Sequence, residues 1–177
     1  MSVVIATHSL SLENRYTVPS VNEVFKYNIL HTIKLTGNEF ILKPGEKFAF
    51  HGKASKTTNA NFGLAQGFKS DGYLVGDGVC HLASLMYLTA LEAGLDAYAP
   101  VRHDFAKIPD ISREYGVSIH AGTPQNLYIT NNKPYSIKFE FITTDNLLTL
   151  KIRQVGSDNF GLNQISFRQN NNLRFIN

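Results

Sequence analysis

An α+β domain is predicted by three observations along the 177 residues. Two segments in the first half carry helical spacing, one opening at Pro19 and one at Val79. Beyond Leu95 the apolar spacing switches to two, the period of half-buried strands. Helices early and an antiparallel series late define the class, with a central cysteine-headed helix and a second helix packed on an antiparallel sheet.

The central helix is the most informative element. A glycine-punctuated turn, Gly76-Asp77-Gly78, leads into Val79-Cys80-His81-Leu82-Ala83-Ser84-Leu85-Met86 and on to Ala93, and Gly94 stands where a left-handed cap belongs. Apolar residues cover almost the whole circumference, so the helix is expected to be wrapped by other elements. The single cysteine, Cys80, sits in its first turn. There the unpaired N–H groups and the positive end of the helix dipole favour a thiolate.

The other elements follow in order. Residues 2–6 read as a short edge strand. Thr17 is a candidate cap for the first helix, Pro19 suits its first turn, and Gly37 ends the run. Asn28 lies on the apolar stripe of that helix and is expected to be a core amide bonded to nearby backbone. Glu39–Leu42 and Lys47–Phe50 read as strands joined by the tight turn Lys43-Pro44-Gly45-Glu46. Residues 51–72 are polar and form an expected long, ordered surface loop. Strands are then expected at Ala97–His103, Val117–His120 and Leu127–Thr130. Tyr135, Ile137, Phe139 and Phe141 alternate with polar residues, and Leu148, Leu150 and Ile152 continue the meander past a turn at residues 144–146. A last hairpin is expected near Ile165–Phe175.

Composition narrows the function. With 43% hydrophobic and 18% charged residues and a net charge of +3, the chain is an ordinary globule. Its Lys and Arg residues are scattered, which argues against nucleic acid as a partner. One cysteine precludes an intramolecular disulfide. No apolar run approaches the roughly 20 residues of a membrane span. Met1–Ala6 lacks the basic region of a secretory signal, so the chain reads as one that stays inside the cell or as an envelope-facing protein without its leader.

Several motifs together resemble the VanW family, bacterial proteins named for a member of vancomycin-resistance gene clusters. Tyr27-Asn28-Ile29 leads through Gly37 into Leu42-Lys43-Pro44-Gly45-Glu46-Lys47-Phe48-Ala49-Phe50, similar to the family's Pro-Gly-Glu-x-Phe-Ser-Phe signature. Gly76-Asp77-Gly78-Val79-Cys80 resembles its Gly-Gly-Gly-Val-Cys turn, and Tyr87–Leu95 its Tyr-Asn-Ala-Ala-x-x-Ala-Gly-Leu ending. Arg102-His103 and the segment Asn126-Leu127 to Asn131-Asn132 fall where the family has similar segments. The chain departs from the family at His81, where glutamine is usual, at Phe105 in place of a second histidine, and at Asn126 in place of an aspartate. Its Glu114–Ile119 segment also lacks the aspartate of Gly-Arg-Asp-Ala-Thr-Val. The resemblance implies a single VanW-like domain over residues 1–177, with a core at about 15–153 and residues 154–177 as an extension or hairpin. It also implies a bacterial cell-wall context.

Two chemistries compete. In the first, Cys80 is a nucleophile for acyl transfer or hydrolysis on a peptide or amide, with His120 or His103 as base. Asn126 would orient His120, and the backbone N–H of Cys80 or His81 would hold an oxyanion. Against this, a lone buried cysteine often only fills space. In the second, the domain binds cell-wall peptide or glycan without turnover, through Gly76, Asp77, Gly78, His81, Arg102 and Tyr115. Peptidoglycan or its stem peptide is the expected partner in either case. Cys80, His81, His103, Asp104 and His120 show no zinc-like spacing, so no metal or cofactor is expected.

Overall fold

The structure is a computed structural model that describes residues 2–13, 15–51, 58–60, 67–120 and 124–156. The elements run β1 (Val3–Ser11), α1 (Pro19–Lys34), β2 (Glu39–Leu42), β3 (Lys47–Ala49), β4 (Thr58–Ala60), α2 (Val79–Glu92), β5 (Asp96–Tyr98), a 3-10 turn (Arg113–Tyr115), β6 (Tyr128–Thr130), β7 (Ile137–Thr143) and β8 (Leu147–Gln154). The fold is α+β, but its strands form two four-stranded sheets where one was expected.

The first sheet, ordered β1-β8-β7-β2, is antiparallel and carries the long strands. Its β7 and β8 bury Ile137, Phe139 and Phe141 against Leu148, Leu150 and Ile152, the inward rows predicted by strict alternation. The expected turn closes them with Thr144 N–H donating to Leu147 O at 2.9 Å. The second sheet, ordered β4-β3-β6-β5, is antiparallel except for the parallel β3–β4 pair. The Pro44-Gly45 turn therefore carries the chain from one sheet to the other. It is closed by Glu46 N–H donating to Lys43 O at 3.0 Å.

Helix α2 is the axle of the domain. It packs on β1 and β8 of the first sheet, β5 of the second, α1 and the 3-10 turn. Leu82, Ala83, Leu85, Met86 and Ala90 are wholly buried, as near-continuous apolarity predicts. Gly94 takes the expected left-handed conformation at φ +66°, and Leu95 N–H returns to Ala90 O at 3.0 Å.

Several local expectations are corrected. The first strand runs to Ser11, well past residue 6. Thr17 does not cap α1, whose N-cap is Val18 without a side-chain bond. Asn22 organises that entry instead: its Oδ1 accepts the N–H groups of Arg15 and Tyr16 at 2.7 and 2.9 Å. The strand expected at Ala97–His103 ends at Tyr98, and Val117–His120 is no strand. Only an isolated bridge joins Arg102 to Val117. Strand β4 interrupts the expected 51–72 loop, parts of which lie outside the described residues, as does the predicted hairpin near Ile165–Phe175.

Candidate functional site

The site is built around the tip of α2. Gly78 enters the helix at φ +94°, and a Cβ there would lie 2.7 Å from the Phe25 carbonyl oxygen of α1. Only glycine allows the tip to come this close to α1. Asn28, fully buried on α1, fixes the approach: its Nδ2 donates to Lys69 O at 3.1 Å and Asp77 O at 3.0 Å, and its Oδ1 accepts Lys69 N–H at 2.9 Å. The expected core amide is thus present, bonded to backbone remote in sequence. It staples the 69–77 approach onto α1.

Successive residues of a helix point about 100° apart, and here that separates two neighbourhoods. Cys80 faces the segment after the 3-10 turn. Its sulfur accepts Ile119 N–H at 3.4 Å and sits 3.8 Å from Ile119 O, positioned to donate its S–H. Cys80 is partly buried. The next residue after Ile119 is His120, which is exposed and whose backbone N–H donates to Gln125 O at 3.1 Å. The same Gln125 oxygen lies 2.7 Å from Nε2 of His51. Asn126 spends its amide on backbone: Oδ1 accepts from His51 N–H at 3.1 Å and Leu127 N–H at 2.8 Å, while Nδ2 donates to His51 O at 2.9 Å. Asn126 therefore positions His51, a residue that sequence reasoning missed. Its only signal was a place at the end of the Lys47–Phe50 run.

The thiol is not poised as the helix end suggests. Burial pushes the Cys80 pKa up, and the Asp77 charge adds to the rise. The Ile119 hydrogen bond pulls the other way without reversing the sign. Burial of the sulfur thus acts in the opposite direction to the thiolate expected at a helix tip.

His81 faces the opposite neighbourhood and is 7% exposed. Its ring meets Phe25 edge-on with centroids 4.9 Å apart, and His103 lies 6.2 Å away. Tyr16 packs edge-on against the same Phe25 at 6.1 Å, and the Arg15 guanidinium lies 5.4 Å from its ring centre. Arg15 Nη2 donates to Asp110 Oδ2 at 2.8 Å and to Ser11 O at 2.6 Å. Burial, with Arg15 and His103 nearby, drives the His81 pKa down to about 3, so this imidazole is neutral. Burial likewise raises the Asp77 carboxyl, and burial with Asp77 alongside lifts Tyr16 to about 12.

His103 belongs to this second neighbourhood. It is buried, with Nδ1 3.1 Å from Ala106 O and its ring 4.0 Å from that of Phe105. Arg102 is exposed and pairs loosely with Asp104 at 3.9 Å, while Tyr115 packs against the core. Gly76 closes the approach to α2, its N–H donating to Lys69 O at 3.2 Å and its O accepting Val79 N–H at 3.1 Å. The structure sets Cys80 against Ile119, the residue before His120, and gathers His81 and His103 near Phe25. The Asp77 carboxylate acts on Cys80 and is itself influenced by His103. Arg15, Tyr16 and Asp110 carried no sequence signal for the second neighbourhood.

Among the described residues, no group of three or more His, Cys, Asp or Glu side chains is arranged to hold a metal ion. No described helix is long and apolar enough to cross a membrane.

A cysteine-headed helix in contact with strands of both sheets is the centre of this α+β domain. The family model described as VanW like protein matches residues 26–153, most of the chain, and the protein belongs to that family. No curated protein and no solved structure matches it.

Proposed function

We propose that this VanW-family protein acts at the bacterial cell envelope as a cysteine-dependent acyltransferase or hydrolase on peptide or amide bonds of cell-wall material. The observation that carries the reading is the partly buried Cys80 in the first turn of α2, its sulfur accepting Ile119 N–H at 3.4 Å, one residue before His120. Because the resting thiol is neutral, deprotonation coincides with attack. Sγ adds to the substrate carbonyl carbon while its proton passes to the His120 imidazole. The amine then leaves with that proton, giving a thioester at Cys80. Water or an acceptor amine breaks the thioester and returns the proton to sulfur.

Incubation with muropeptides followed by intact-mass analysis tests this. An acyl adduct on Cys80, absent from Cys80→Ser, is expected. Muropeptides that neither acylate the protein nor turn over under any condition contradict it. The raised thiol favours a second reading, in which the domain binds cell-wall peptide without chemistry. In that case muropeptide-induced NMR shifts survive Cys80→Ser unchanged.

A further inference from the structure

We infer that the side of the α2 tip facing away from Cys80 is a second binding site, in which Arg15 and His81 hold a small oxyanion such as a carboxylate. Among the described residues, buried side-chain polar atoms without a hydrogen-bond partner concentrate there: Arg15 Nε and Nη1, His81 Nδ1 and Asp77 Oδ2. The one other, His8 Nε2, faces the Glu92 carboxylate at 2.6 Å. Buried polar groups are seldom left unpaired, so this group of atoms around the α2 tip points to an occupant.

The chemistry of the four atoms selects it. Arg15 offers donors only, and its Nη2 is already committed to Asp110 and Ser11. A cation is excluded by the guanidinium and by the lack of a three-ligand group among the described residues. His81 is 7% exposed, shares the Phe25 ring with Arg15, and stays neutral, so it can turn a ring N–H to an acceptor without adding charge. Asp77 is the apparent objection. Its carboxyl is engaged by the Tyr16 phenol, and burial raises it above the ordinary carboxylate value, which weakens its opposition to an anion. Donor groups on Arg15 and His81 then address one acceptor-rich ligand. This site goes beyond the thiol reading and does not depend on it.

The test is a titration of the isotope-labelled full chain with acetate and, separately, inorganic phosphate, following the Arg15 Nε–H and His81 ring resonances. Saturable shifts of both residues are expected with at least one probe. His81→Phe keeps the ring on Phe25 and removes the nitrogen, so about a tenfold loss of affinity is expected. Asp77→Asn, which removes a nearby negative charge and supplies a donor, should bind as tightly or more tightly. Cys80→Ser should leave the titration unchanged. The inference is overturned if shifts fail to saturate, if His81→Phe binds like the parent, or if water bridging Arg15 and His81 persists at saturating probe concentration. Loss of binding in Cys80→Ser would place the ligand on the thiol side and overturn it equally.

Discussion

Cys80 and His81 are neighbours in the chain and opposites in environment. One side of the α2 tip carries a partly buried cysteine whose sulfur bonds to the backbone of Ile119. The other is closed over Phe25, with a neutral imidazole pressed against a guanidinium-bearing segment. Both titratable groups are shifted toward their neutral forms, and burial is the leading cause in each. The lesson is that a helix tip does not make a reactive thiol by position alone. When packing removes water from the sulfur, burial opposes the dipole.

If that contrast is right, the His81 side carries stability and the Cys80 side is free to carry chemistry. The largest effect should be acid sensitivity. His81 moves from 6.5 to about 3 on folding, so the unfolded chain binds the extra proton first. Its contribution is fully present above pH 6.5 and fades as pH falls toward 3, on the order of 5 kcal/mol in all. Urea midpoints measured through that range should fall steeply in the parent and less so in His81→Phe. Equal slopes would break the contrast.

Gly78→Ala comes next, with a left-handed residue and a carbonyl 2.7 Å from the new Cβ. A loss of about 3 kcal/mol is expected by thermal or chemical unfolding. Asn28→Ala removes three bonds to the 69–77 approach and should cost about 2 kcal/mol. Because those bonds also place the tip, it should broaden the NMR signals of Asp77 and Gly78. Cys80→Ser should change stability least, by under about 1 kcal/mol, since serine keeps a donor and an acceptor for Ile119. A Cys80→Ser protein as unstable as Asn28→Ala would show the sulfur to be structural.

How much of this could be read from sequence depended on the length of each signal. Strands β7 and β8 alternate over seven and eight residues and were legible. The strands of the second sheet are three residues each; β3 and β6 were marked by their apolar residues and flanking turns, but the extent of β5 and the presence of β4 were not. Strand β5 was therefore expected to run on to His103, where the chain instead turns back to pair once with Val117. Helix α2 was legible at both ends because Gly78 and Gly94 mark its boundaries with backbone geometry. The contact of Cys80 with the Ile119 backbone carried no signal of its own in the sequence. Nor did the sign of the thiol shift, because desolvation is a property of packing. Arg15 and Asp110, 95 positions apart, are joined only by the fold.

The most direct test of the central claim is the pH dependence of Cys80 alkylation by iodoacetamide in the folded protein. A neutral but reachable thiol should react without unfolding, with a midpoint above the ordinary thiol value of 9.0. Rapid modification at neutral pH with a midpoint below that value would contradict the account. So would a sulfur that reacts only after denaturation.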